Sequence, residues 1–341
     1  MAPVAGPLRG LPPVQGKRYV EKLFVSIPEP SPAAAAATTA ASEASAAPGS
    51  FPPAGACDCH LHVIGPKALY PLAARRAFTP RDATLEEMNA MHARLGIGRL
   101  VLVQTSVFGH DNRCMLDGLA RLGGRARGVA VLADDTADGE LDRLHRLGVR
   151  GLRVNVATYG SSPSRETAQR LQAAARLCAR KGWHVQLFVG ADALVALAPA
   201  ISALPVDCVI DHFGLIPPEI PDHPARDALE ALLGTGRVWV KISGAYRLGS
   251  GTGADVRDPA IGKLANRLYR INPERIVWGT DWPHTPVHGA VAQGDEEQPY
   301  RDIDPAALLE GLRVWFGGDM QALRHILVDN PSALYFADAP A

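Results

Sequence analysis

The sequence predicts an α/β fold, specifically a (β/α)8 TIM barrel, on three observations. Eight short runs rich in Val, Ile and Leu alternate with helix-like patterns, the rhythm expected of a barrel of roughly 250 residues or more. The runs are continuously apolar rather than alternating, as in strands buried on both faces. Polar residues collect at the C-terminal ends of those runs, the face where barrels carry their chemistry. A doubly wound open sheet is the competing architecture. It is disfavoured because no G-x-G-x-x-G follows the first run.

Each element can be justified in turn. The first strand, CDCHLHVI (57–64), brings His60-Leu61-His62, and the helix TLEEMNAMHARLG (84–96) closes on Gly, a natural helix stop. RLVLVQT (99–105) ends in Gln104-Thr105, with Ser106 next; RGVAVLA (127–133) is followed by the helix ADGELDRLHRLG (137–148). VRGLRVNV (149–156) carries Arg153 and Asn155 and leads to the helix SRETAQRLQAAARLCARKG (164–182). WHVQLFV (183–189) is the fifth strand and DCVIDHF (207–213), with Asp211-His212, the sixth. RVWVKIS (237–243) ends in Ser243 and is followed by Tyr246-Arg247. The helix DVRDPAIGKLANRLYRI (255–271) precedes the eighth strand, RIVWGTD (275–281), which ends in Asp281 with Trp282 next.

Residues 1–50 read differently. SPAAAAATTAASEASAAPGS (31–50) is half alanine with a single charge, so the expectation is a flexible Pro/Ala-rich extension, with the barrel spanning 51–341. KRYVEKLFVSIP (17–28) has some apolar content and is a candidate docking arm. The N-terminus is interrupted by Pro, Gly and charges and forms no apolar core of a signal peptide, which leaves the cytoplasm as the expected location. Five cysteines, an odd and sparse number, argue against a disulfide framework and for a reducing compartment.

Composition narrows the function classes. With 47% hydrophobic residues the chain can build a sizeable core. With 35 basic and 35 acidic residues it has no cationic surplus to draw it to nucleic acid or to an anionic membrane. No apolar run approaches the roughly 18 residues a membrane span needs.

The chemistry-bearing residues each have a plain structural reading beside the functional one. His60 and His62 share one side of their strand by its period of two, and two adjacent imidazoles suit a metal ion or a substrate oxygen; singly, each would be an ordinary core histidine. Cys57 and Cys59, of opposite parity, are expected to pack toward the helices. Asp58 either orients one of the histidines or forms a buried structural pair. Lys241 either points into the barrel or makes a mid-barrel structural pair. His92, His145, His223 and His325 are expected to be surface or packing residues.

Taken together, CDCHLHVIGP (57–66), VQTSVFGHDN (103–112), VRGLRVNV, HVQLF (184–188), VIDHFG (209–214), VKISGAYR (240–247) and IVWGTDWPH (276–284) resemble the amidohydrolase superfamily. More narrowly, they resemble its branch of 2-pyrone-4,6-dicarboxylate lactonases and sulfomuconolactone hydrolases, which also holds sugar-acid lactone isomerases. The resemblance implies a distorted (β/α)8 barrel that hydrolyses lactones, in the breakdown of aromatic compounds. It implies Asp281 as general base, His60, His62 and His212 around the substrate carbonyl and oxyanion, and Arg153 and Arg247 on anionic groups of the substrate. Gln104, Ser106 and Tyr246 are further substrate-binding candidates. Two departures stand out: the fourth strand ends without lysine, and the fifth carries Phe188 where metal-binding members have His and dicarboxylate lactonases Tyr. The expectation is therefore catalysis that requires no cofactor, with one Zn2+ on His60, His62 and Asp281 as the alternative. A small anionic lactone is the expected partner of a monomer or homo-oligomer. An isomerase on the same fold, a zinc-dependent hydrolase or decarboxylase, and a barrel retained only for binding are the competing readings.

Overall fold

The computed structural model describes residues 50–158, 165–248, 257–286 and 296–337; the expectations for the N-terminal extension and the docking arm fall outside them. Eight strands form one sheet in sequence order: β1 (Cys57–Leu61), β2 (Arg99–Val103), β3 (Ala126–Ala130), β4 (Val149–Asn155), β5 (His184–Phe188), β6 (Cys208–Ile210), β7 (Val238–Lys241) and β8 (Ile276–Val277). All neighbouring pairs are parallel. Cys59 N donates to Trp278 O at 2.9 Å and Asp281 N to His60 O at 2.8 Å, which joins β8 to β1 and closes the barrel.

Helices cover the outside: α1 (Leu85–Leu95), α2 (Arg113–Leu122), α3 (Asp138–Arg146), α4 (Arg165–Ala179), α5 (Ala191–Ser202), α6 (Pro224–Gly234), α7 (Pro259–Ile271), α8 (Pro305–Trp315) and the short α9 (Met320–Arg324). The expected helix over 84–96 is α1. Thr84 and Glu87 form a reciprocal capping box at its start, and Gly96 (φ 70) ends it in a left-handed conformation that a side chain would strain.

The core has two layers separated by the sheet. Outward-facing strand residues such as Leu100, Leu102, Leu152 and Ile210 pack with helix residues such as Met88, Leu119, Leu171 and Leu229. Inside the barrel Cys57, Cys59, Val101, Val103, Val129, Val209, Trp239 and Val277 pack around Tyr335, which comes from a π-helical turn at Ser332–Phe336.

This arrangement corrects the expected orientation of Cys57 and Cys59, which face the barrel interior and not the helices. The β1–β2 register shifts between Asp58 and Leu61, and a bulge resets the alternation of side chains between Cys59 and His60. Asp58 consequently points outward, where its carboxylate accepts from Thr280 Oγ1 at 2.5 Å, Thr280 N at 3.0 Å and His60 N at 3.1 Å, and lies 3.0 Å from His92 Nε2. It ties β1 to the end of β8 and touches neither site imidazole. Of its two readings, the buried structural pair is the one the fold contains. All five cysteines are free and buried.

Candidate active site

The strands end below the residues that carry the chemistry, because the chain turns sharply as it leaves them. Asp281 (φ 60) and His212 (φ 52) both occupy the left-handed region, a conformation that costs a non-glycine residue about 1–2 kcal/mol. The turns aim both side chains over the barrel axis. Gly244 beside them is obligatory on two counts: its own φ is 58, and a Cβ there would lie 2.7 Å from His212 Nδ1.

Three imidazoles converge on one carboxylate oxygen. Asp281 Oδ1 lies 3.7 Å from His60 Nε2, 3.6 Å from His62 Nε2 and 3.8 Å from His212 Nε2, all buried. The other oxygen, Oδ2, accepts from Tyr246 Oη at 2.6 Å and from Arg247 Nε at 2.5 Å. Asp281 is thus held by one oxygen and presents the other. Oδ1 and both ring nitrogens of His60 lack a hydrogen-bond partner among the described residues, as does Asp211 Oδ1.

Proton positions follow from the partners. His62 Nδ1 sits 2.7 Å from Val103 O, and a carbonyl only accepts, so Nδ1 carries the proton and a neutral His62 turns a bare Nε2 to the centre. His212 Nδ1 lies 2.9 Å from Ser243 Oγ, a hydroxyl that can donate. The three histidines are therefore not equivalent donors to an oxyanion.

The electrostatics keep the carboxylate charged and the imidazoles of His60 and His212 neutral. Burial would raise the Asp281 carboxyl, but the Arg247 guanidinium and then His212 outweigh it and hold it well below the usual carboxylate range. Burial lowers His60 well below its ordinary value and His212 to about 4.

Above this cluster opens a small polar cavity, lined among others by His62, Phe78, Ser106, Arg153, Phe188 and Arg247. The expected residues divide accordingly. Asp281, His62, His212, Arg153, Arg247 and Ser106 border the cavity, while His60 lies just beneath it. Gln104 does not border it: its amide donates to Gly109 O at 3.2 Å and Asp111 O at 2.9 Å, holding the loop after β2. Tyr246 is not in the lining either, because its hydroxyl is directed at Asp281. Arg153 Nη1 donates to Gln104 O at 3.1 Å, and its guanidinium lies over the Phe188 ring at 5.4 Å.

Sequence reasoning assigned no role to Asp211, and left Lys241 open. Both meet beneath His60: Lys241 Nζ donates to Cys59 O and Gln186 Oε1, each at 2.7 Å, and lies 3.9 Å from Asp211 Oδ1. The Asp-His pair at the end of the sixth strand was the available signal.

The cluster also fits a single divalent ion. His60, His62 and Asp281 offer ligand atoms within 4.8 Å of one another. A tetrahedral zinc with bonds of about 2.0–2.1 Å spaces its donors about 3.3 Å apart, near the Nε2–Oδ1 separations here. The bare, unpartnered nitrogen and oxygen atoms at the centre are what such an ion, or the two protons of a water, would satisfy.

Comparison with known proteins gives a consistent picture. A family model described as Amidohydrolase matches residues 57–337. A 2-pyrone-4,6-dicarboxylate hydrolase of Comamonas testosteroni is 34% identical over 300 residues, covering 84% of this chain and 92% of its own. A 4-sulfomuconolactone hydrolase of Rhizobium radiobacter is 35% identical over 299 residues, covering 86% and 94%. An apo crystal structure from Agrobacterium tumefaciens superposes with a TM-score of 0.70 at 25% identity, over 86% of this chain and 100% of that one.

Proposed function

The chain belongs to the amidohydrolase family, and from that premise we propose that it is a lactonase, opening a small carboxylated or sulfonated lactone with water activated by Asp281. The observation that carries this reading is the one free carboxylate oxygen, Asp281 Oδ1, facing three imidazole nitrogens at 3.6–3.8 Å under a cavity bordered by two guanidinium groups. The two lactone hydrolases to which the chain is similar act on anionic rings by their names, which supports the substrate class.

The geometry suggests the sequence of steps. A water donates one hydrogen bond to Asp281 Oδ1 and the other to the bare Nε2 of His62, which leaves an oxygen lone pair for the substrate carbonyl. Asp281 takes the first proton as the C–O bond forms. His212, with Ser243 donating to its Nδ1, directs an Nε2–H at the developing oxyanion. Collapse breaks the ring C–O bond, and the proton held by Asp281 passes to the leaving oxygen, giving the hydroxy acid. A positioned base contributes roughly 10²–10⁴-fold and one oxyanion donor roughly 10²–10³-fold. Arg153 and Arg247 orient the substrate's acidic group from the cavity wall. A zinc ion held by His60, His62 and Asp281 would add polarisation of the carbonyl and acidify bound water.

We place this reaction in the breakdown of an aromatic compound, downstream of a step that leaves an acidic lactone. The five free thiols suit a reducing compartment, the cytoplasm. Among the described residues, no helix is long and apolar enough to cross a membrane. The test is acid release, followed by pH indicator, across carboxylated, sulfonated and neutral lactones with and without chelator. One acid equivalent per anionic lactone supports hydrolysis. Consumption without acid would replace it by the isomerase reading, and inertness toward every lactone would overturn the proposal.

A further inference from the structure

Beneath the site two hydrogen bonds and one close ionic contact run through the barrel, and the hydrogen bonds have a single possible direction. Lys241 Nζ can only donate, so Gln186 Oε1, 2.7 Å away, is the acceptor end of its amide. Gln186 Nε2 must then donate, and it meets Asp211 Oδ2 at 3.1 Å. Asp211 Oδ1 lies 3.2 Å from His60 Nδ1, and both residues are fully buried. The two atoms do not align as a hydrogen bond, but the charge of a buried carboxylate at that distance favours the His60 proton on Nδ1, which leaves a bare Nε2 turned upward, 3.7 Å from Asp281 Oδ1.

We propose that Asp211 is a positioning residue for the reaction: it acts through His60, fixing its ring and tautomer so that a lone pair, and not an N–H, faces the catalytic centre. The inference deepens the lactonase reading and rests on it for its consequence in rate. His60 Nε2 and His62 Nε2 then form a pair of acceptors beside Asp281, bound from below by Asp211 and from the side by Val103 O. The same tautomer serves whether Nε2 meets a water proton or a metal ion. Lys241 and Gln186 set the direction of the chain and touch no reacting atom.

Asp211→Asn gives a sharp test because Gln186 dictates how the new amide must lie. Its oxygen has to accept from Gln186 Nε2, so its NH2 is forced onto His60 Nδ1. His60 must then move its proton to Nε2 and present a donor where an acceptor stood. A comparable loss of the correct tautomer in a serine protease is severe.

Two readouts decide the matter. In the full chain labelled with 15N-histidine, with the His60 signals assigned by their loss in His60→Gln, the wild type should show a protonated Nδ1 and an unprotonated Nε2. Asp211→Asn should exchange the two. On a carboxylated lactone, the variant should lose at least about 10²-fold in kcat with KM changed less than about threefold. A proton on Nε2 in the wild type overturns the proposal, as does an Asp211→Asn that keeps either the wild-type tautomer or the wild-type kcat. If the variant does not fold, the wild-type signals alone decide. If no lactone is turned over, the lactonase reading falls while the nitrogen signals still judge Asp211.

Discussion

At the floor of the barrel Cys57, Cys59, Val101, Val103, Val129, Val209, Trp239 and Val277 pack apolar atoms around Tyr335. At the mouth, little more than a few residues further along the same strands, His60, His62, His212 and Asp281 hold polar atoms that face one another without hydrogen bonds, two of them on left-handed backbone. The floor is built for stability, and the mouth carries the proposed chemistry. The mouth's unsatisfied atoms are costly wherever they are buried, and they persist because the floor and the helical layer are stable enough to hold them in place. The division is not absolute. Tyr335 Oη and His184 Nε2 also lack hydrogen-bond partners among the described residues, and burial lowers His184 to about 3.

The sharpest way to break this contrast is at the mouth. Asp281→Asn should lower kcat by 10³ or more, about 4 kcal/mol of transition-state stabilisation, while thermal unfolding shows stability unchanged or raised. Retention of more than a tenth of the wild-type rate would remove Asp281 as the base.

The matching change at the floor is Tyr335→Ala, which empties the plug. Chemical unfolding should show a loss of about 3 kcal/mol, with KM for the lactone unaffected in the fraction that remains folded. A loss of activity at unchanged stability would mean the floor participates in the chemistry after all.

Between these extremes the two arginines sharpen the comparison. Arg153→Met should raise KM for an anionic lactone by the equivalent of about 1.5–3 kcal/mol and leave a neutral lactone of similar size alone. Arg247→Met should behave differently, because Arg247 also holds Asp281 Oδ2. Arg247 is a principal reason that the Asp281 pKa is depressed, and the carboxylate base is present only above that pKa. Removing the guanidinium raises the pKa, so the acid limb of the kcat/KM profile should move to higher pH for charged and neutral substrates alike. An unmoved limb would show that the pairing does not set the base.

The smallest effect is expected at Tyr335→Phe. Deleting a buried hydroxyl that has no partner should leave stability unchanged or raise it by up to about 1 kcal/mol in chemical unfolding. A clear loss would reveal a partner for that hydroxyl.

The sequence by itself determined the repeating architecture and the polar ends of the strands. Continuous apolar runs have no stable place except a sheet covered on both sides, and residues two apart on a strand share a face, so His60 and His62 could be paired and matched to Asp281 before any coordinates. Tertiary structure alone decided what those residues touch. The bulge between Asp58 and Leu61 reversed the expected sides of Cys57 and Cys59, because one extra residue shifts the alternation and no composition signal marks it. Tyr246 reaches Asp281 across the barrel and Gln104 holds the loop after β2, contacts that no periodicity along a strand could give. Asp211, Gln186 and Lys241 come from three different strands, and only barrel closure brings them into one directional chain below His60. Periodicity reads contacts along a strand; the proton positions that set the chemistry come from contacts between strands, which the closed barrel supplies.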